Sequence, residues 1–271
     1  MPPHIPFSDL ALARRLEQAE GRGNIAFVEA RGRLDPAAAT TWTAVGGALA
    51  MFDGPGSPMT QTFCLGMGDP VAPADLDALE AFFVSRGAET HHEVSPLAGV
   101  ELYATLHDRG YVPIEASSVM FLPLDPGAGV TGVNPRLRVR QVDATETDLF
   151  AATVVTGWGE FPAIAGFIEG IARVSMSRTD CPSFLAELDG APIASGSMSI
   201  WDGVALMAGA STIPRGRRQG AQLALLDARL RHAAATGCDL AMICAQPGSA
   251  SQRNAERHGF RIAYTRVKWK K

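Results

Sequence analysis

Residues 210–226 read ASTIPRGRRQGAQLALL. A strand-like run ends at Ile213-Pro214, where proline withdraws an amide donor. A basic turn follows, Arg215-Gly216-Arg217-Arg218-Gln219-Gly220, and leads into a segment with Leu223, Leu226 and Leu230 on one helical face. A helix start presents unpaired N–H groups and the positive end of its dipole. Gly216 and Gly220 permit close backbone approach to a ligand, and three arginines add full charge. Strand, turn and helix in this order predict a site for phosphate or pyrophosphate. No GxxxxGK followed by Ser or Thr occurs, which sets aside a P-loop. Gly66-Met67-Gly68, the near miss to a dinucleotide fingerprint, runs into Asp69-Pro70, which opposes a phosphate.

Working outward, the same periodicities predict strands over 137–142, 204–213, 240–245 and 260–269, with helices over 145–156, 163–175, 219–235 and 249–258. Residues 184–188 and 193–200 form an expected hairpin around Asp189-Gly190. Upstream lies a Gly/Pro-rich stretch, 123–135, with the character of an inter-domain linker. The first half predicts helices over 10–20, 75–85 and 99–108, and strands over 24–31, 41–52, 60–65, 90–94 and 111–122, with a turn at 53–58.

The two halves end alike. A helix stops at Gly87 or Gly237, a strand runs to Pro96 or Pro247, and a second helix stops at Arg109-Gly110-Tyr111 or His258-Gly259-Phe260. The Gly-to-Gly spans are 110 − 87 = 23 and 259 − 237 = 22 residues. A pattern repeated at this scale points to duplication of one domain. The expected domains are 1–123 and 136–271, with 124–135 as linker, which suits a chain of 271 residues.

Composition narrows the function. Hydrophobic residues at 46% and a net charge of only −4 exclude a disordered chain. A pI near 5.9 with no basic tract disfavours nucleic acid as partner. No apolar run approaches the roughly 18 residues of a membrane span; residues 42–52 are broken by Thr43, Gly46 and Gly47. The start, MPPHIPFSDLALARR, lacks a basic segment followed by an apolar one, so a cytoplasmic protein is expected. Cys64, Cys181, Cys238 and Cys244 make no CxxC pair and no zinc spacing; reduced, mostly buried thiols and no metal are expected.

With these residues in view, the chain resembles the GCN5-related N-acetyltransferase (GNAT) superfamily. Its signature at the start of the central helix is Gln or Arg, two residues, Gly, one residue, then Gly or Ala. Arg217, Gly220 and Gln222 stand in those places, the last a departure, and Pro214 sits where members often carry proline. The likeness covers about residues 136–271, and the first half more faintly. It implies an α/β (α+β) fold of two GNAT-like domains, each a mixed, mostly antiparallel sheet flanked by helices. It also implies acetyl-CoA as acyl donor, with backbone contacts from Ala210 and Thr212 and the turn Arg217, Arg218, Gln219, Gly220, Ala221 and Gln222.

Other marks differ. Members often carry Asn eleven residues before the Gly-Phe pair and Tyr four before it; here Gly248 and Ala255 occupy those places. Ser251 and Asn254 stand as alternative CoA contacts, and Tyr264 as an alternative general acid. Glu160, between Trp158 and Phe161, is the expected base, its pKa raised by aromatic surroundings, with Glu187 a weaker choice. The matching turn of the first half, residues 67–72, carries Asp69-Pro70 and no arginine, so that domain is read as a degenerate copy without CoA. His91 and His92 are adjacent on a strand and therefore face opposite ways. The expected activity is acetyl transfer to a primary amine of a small molecule or peptide, by a monomer or homodimer. A non-catalytic CoA-binding sensor is the alternative.

Overall fold

The computed structural model describes residues 6–271; the first five residues of the start read above lie outside the described residues. The chain divides into two compact units. The first comprises residues 6–122 together with Met242–Lys271, the second Pro123–Ala241. No helix among the described residues is long and apolar enough to cross a membrane.

In the first unit, α1 (Leu10–Leu34) is a single 25-residue helix, capped where the Asp9 carboxylate accepts from the Leu12 amide. This corrects the expected helix over 10–20 followed by a strand over 24–31. Gly21 and Gly23 read as a break, yet both are buried helix positions. A Cβ at Gly21 would stand 3.0 Å from Leu49 Cδ1 and 3.2 Å from Phe63 Cβ, so the glycine lets the helix lie close on the sheet. The expected strand over 41–52 is a hairpin, β1 (Thr41–Val45) and β2 (Ala48–Phe52), turned at Gly46 and Gly47 with φ of 54° and 81°. There follow β3 (Gln61–Phe63), α2 (Pro73–Val84), β4 (His91–Val94), α3 (Val100–Asp108) and β5 (Val112–Pro123).

The second unit begins with β6 (Leu137–Val142), α4 (Thr147–Gly157) and α5 (Ala165–Met176). β7 (Ser183–Leu188) and β8 (Ala191–Trp201) form the expected hairpin, with Asp189 and Gly190 at φ of 53° and 80°. β9 (Val204–Thr212) and α6 (Ala221–Ala235) follow. β10 (Leu240–Ala245) starts in this unit, next to β9, and the strand order continues β9-β8-β7-β6. All three of the latter pairings are antiparallel. Val142, Phe150, Ala151, Ile168 and Leu185 pack together beneath α4 and α5.

The chain closes with α7 (Ala250–Arg257) and β11 (Arg261–Lys270), which belong to the first unit. β11 runs antiparallel between β4 and β5, giving the order β1-β2-β3-β4-β11-β5. Residues 242–271, expected with the second domain, thus group with the first. Charge and packing explain it: Arg266 of β11 pairs with the buried Glu17 and Glu93 and the half-buried Glu20, and Trp269 joins the apolar core with Phe83, Leu106 and Tyr111. The repeated helix–strand–helix–strand order stands in both halves, and Gly87, Gly110, Gly237 and Gly259 all have φ between 69° and 90°. Within each unit the strands pair mostly antiparallel and are flanked by helices. The four cysteines are free, and all but Cys244 are buried.

Candidate anion-binding turn of the second unit

The site is built where β9 meets α6. β9 has a bulge: Ser195 pairs with Ser211 but Ser197 with Ala208, so Gly209 and Ala210 together oppose Gly196. Gly209 sits at φ 61°, a conformation that glycine adopts without strain. Residues 208–210 are exposed although they lie mid-strand, so one stretch of β9 faces open space. Beneath it Arg229 of α6 is buried and donates to Ser197 O at 3.1 Å and Ala208 O at 3.3 Å. Burial lowers its pKa to about 10. Nothing in the local sequence marks Arg229, because an arginine at that spacing reads as a solvated helix face.

A short 3₁₀ turn, Pro214–Gly216, links β9 to the basic segment. Gly216 is buried: a Cβ there would lie 2.7 Å from Ile193 Cβ. Its smallness therefore serves packing against β8, which corrects the expected role in ligand approach. Gly220 has a different task. It stands at φ 83°, with Arg218 at φ 62°, in the left-handed region that glycine adopts without strain. Ala224 N is the first amide to bond back to the turn, to Gly220 O at 3.0 Å. For the N–H groups of residues 218–223 no acceptor is found among the described residues. Asn134 Nδ2 donates to Gln219 O at 2.9 Å. Arg217, Arg218, Gln219 and Gly220 are exposed, and Ala221 is buried. Six free amides at the positive end of a 15-residue helix, flanked by arginines, fit a diphosphate.

The expected base lies beside this turn. Glu160 Oε1 accepts from Arg217 Nη1 at 2.6 Å, and both side chains are exposed. That hydrogen bond and the guanidinium charge hold the Glu160 carboxyl below its ordinary range. The raised value expected from Trp158 and Phe161 is thereby corrected: the two rings stand 6.0 Å apart, but both are largely solvated and desolvate little. Gly157 anchors the loop, since a Cβ there would lie 2.5 Å from Ser211 Oγ. Gln222 Nε2 donates to Thr212 Oγ1 at 2.7 Å. Arg217, Gly220, Gln222, Thr212 and Glu160 thus gather in one unit. Glu187 is buried and bound by Arg140 Nε at 2.7 Å.

The remaining candidates stand in the first unit. Ser251 is exposed and Asn254 half-buried on α7, while Ala255 is buried. Tyr264 is 6% exposed and donates to Glu17 Oε1 at 2.8 Å. Burial and the nearby Glu17 push its hydroxyl pKa well up. His92 is buried against the Tyr111 hydroxyl at 3.0 Å, and His91 lies apart, near Glu89. In the turn over 67–72, two prolines at 70 and 73 lack N–H groups and Asp75 takes the Ala72 amide at 3.0 Å, so the start of α2 offers no comparable cradle.

Residues 150–260 match the acetyltransferase (GNAT) family. Among solved structures the chain is similar to a GCN5-related N-acetyltransferase from Kribbella flavida, at 21% identity over 91% of this chain and 95% of that one, with a TM-score of 0.63. A GCN5-related N-acetyltransferase from Sphaerobacter thermophilus gives 16% identity over 78% and 71%, with a TM-score of 0.58. A tandem GNAT protein from the clavulanic acid biosynthesis pathway gives 19% identity over 82% and 73%, with a TM-score of 0.54. No curated protein matches the chain.

Proposed function

We propose that this chain, similar in fold to GNAT structures and matching the acetyltransferase (GNAT) family over residues 150–260, transfers an acetyl group from acetyl-CoA to a primary amine. The observation that carries the reading is the run of acceptor-free amides at residues 218–223 beside Arg217 and Arg218. These groups match the two phosphates that join the halves of CoA. The exposed stretch Ala208–Ala210 of β9, bent by its bulge, is the edge along which the rest of the donor would lie.

Transfer forms a C–N bond and breaks the thioester C–S bond. Attack needs a neutral amine, and Glu160, once released by Arg217, is read as the group that receives its proton. Backbone amides of the bulge are suited to a developing oxyanion. The buried and engaged hydroxyl of Tyr264 gives no support to a proton donor, so the thiolate departs with solvent as its acid. Positioning then supplies most of the rate. The first unit, lacking a free amide cradle, is read as a degenerate copy without CoA.

One set of observations favours the second reading, a non-catalytic CoA-binding sensor: Gly248 and Ala255 replace side chains that the resemblance expects, and Tyr264 is engaged elsewhere. Calorimetry with CoA tests the binding that both readings require. Thiol release from acetyl-CoA across a panel of amines separates them. CoA binding with no amine-dependent release would leave the sensor; no binding at all removes both.

A further inference from the structure

We propose that the Glu160–Arg217 ion pair is a latch that an anionic donor opens, freeing Glu160 and the aromatic loop of residues 157–164 to receive the amine. The inference rests on the reading of residues 217–222 as a pyrophosphate turn, and adds to it an exchange of partner at Arg217.

Three observations carry it. First, the pair joins two features that the reaction must use separately: Glu160 Oε1 and Arg217 Nη1 stand 2.6 Å apart. A guanidinium turned to a phosphate leaves Glu160, and a carboxylate held by Arg217 has little attraction left for an ammonium. Second, the pair is exposed, with side chains at 42% and 61%. Such pairs are among the weakest in proteins and are readily exchanged, whereas a diphosphate offers arginine a charged, two-pronged partner. Third, the loop has few other ties. Its hydrogen bonds among the described residues are local, Gly159 N to Thr156 O, Phe161 N to Trp158 O and Ile164 N to Phe161 O. At its start Gly157 is wedged against Ser211. Beyond that anchor the loop is fastened to the turn by Glu160.

The loop also carries exposed apolar groups, Trp158, Phe161 and Ile164. Solvated rings beside a released carboxylate suit an amine arriving as its ammonium, which both the carboxylate and a ring face attract. With the latch closed, an amine meets a neutralised carboxylate. With the donor bound, it meets a free one.

The test uses the full chain with CoA as the only ligand. Calorimetry is run on the wild type and Glu160→Gln, and emission of Trp158 is read as the difference between each protein and its Trp158→Phe counterpart. Removing the competing carboxylate should tighten CoA about two- to fivefold, the worth of an exposed pair. In the wild type CoA should shift the Trp158 emission; in Glu160→Gln the emission should start near the bound value and move little. A wild type that binds CoA while Glu160→Gln binds it equally or more weakly, or whose Trp158 emission stays fixed at saturation, overturns the latch alone. A wild type that binds no CoA overturns the pyrophosphate turn and the latch together.

Discussion

Gln222 Nε2 donates to Thr212 Oγ1 across 2.7 Å, tying the first turn of α6 to the last residue of β9. A small residue is expected at 222 from the resemblance, because the helix start must come close to its ligand. The longer side chain avoids that conflict by turning back to the strand it follows. The departure from the family pattern thus becomes a brace between two elements of the site, and the backbone amide of Gln222 is left free.

Gln222→Ala should cost about 1 kcal/mol, the net worth of a partly buried hydrogen bond. For a chain of this size that lowers the melting temperature by roughly 2–4 °C. CoA affinity should change by less than about threefold, since the amide remains and only a brace of that worth is lost. Melting and calorimetry on the same sample check both numbers. A tenfold loss of affinity would mean that the side chain itself holds the donor.

Arg217→Glu should weaken CoA at least about tenfold, the usual scale of a charge-assisted contact. The substitution also sets two carboxylates side by side at 160 and 217, so the turn loses attraction and gains repulsion. The loss should shrink with added salt, because both groups are exposed. Calorimetry at two ionic strengths measures it, and an unchanged affinity removes Arg217 from the donor site.

Titration of the intact chain should give one CoA. Among the described residues the amides of 218–223 meet no acceptor, whereas at the start of α2 two prolines lack N–H groups and the Asp75 carboxylate takes the Ala72 amide. A stoichiometry of two would place a donor site in the first unit.

What the sequence disclosed depended on range. Asp189-Gly190 fixes its hairpin locally, because both residues must take positive φ, and the structure gives 53° and 80°. Strands over 137–142 and 240–245 stand where alternation and β-branching put them. The basic turn was legible because strand end, glycine and helix start are neighbours in the chain. Three features were not. Gly21 reads as a break, since the sheet that needs it small lies tens of residues away. Glu160 was assigned a raised pKa from its neighbours in sequence, and its actual partner, Arg217, is 57 residues distant. β11 was placed with the second half because its partners Glu17, Glu20 and Glu93 lie at the other end of the chain.

That last cluster yields the strongest stability prediction. Arg266 is 3% exposed and meets Glu20 Oε2 at 2.6 Å, Glu93 Oε2 at 3.0 Å and Glu17 Oε1 at 3.4 Å. Arg266→Met keeps the apolar stem and leaves these carboxylates without their shared cation. Breaking a buried pair in this way costs about 3–5 kcal/mol. The pH dependence should change as well. Burial alone would raise the Glu20 pKa, but the charge and hydrogen bonds of Arg266 outweigh it and hold the folded value below the ordinary one. A depressed folded pKa gives stability that is present above the unfolded value and lost as pH falls through the folded one. Glu17 behaves oppositely: burial, only partly offset by Arg266, raises its folded pKa, so its contribution is present in acid and lost as pH rises. In the wild type the two partly cancel. In Arg266→Met burial is no longer offset by the guanidinium, and both folded values rise. The variant should therefore gain stability relative to the wild type on going from about pH 7 to about pH 5, as the unpaired carboxyls take up protons. Urea midpoints for both proteins at the two pH values measure this. A deficit that stays constant or widens in acid would show that Glu17 and Glu20 are not the groups that Arg266 neutralises.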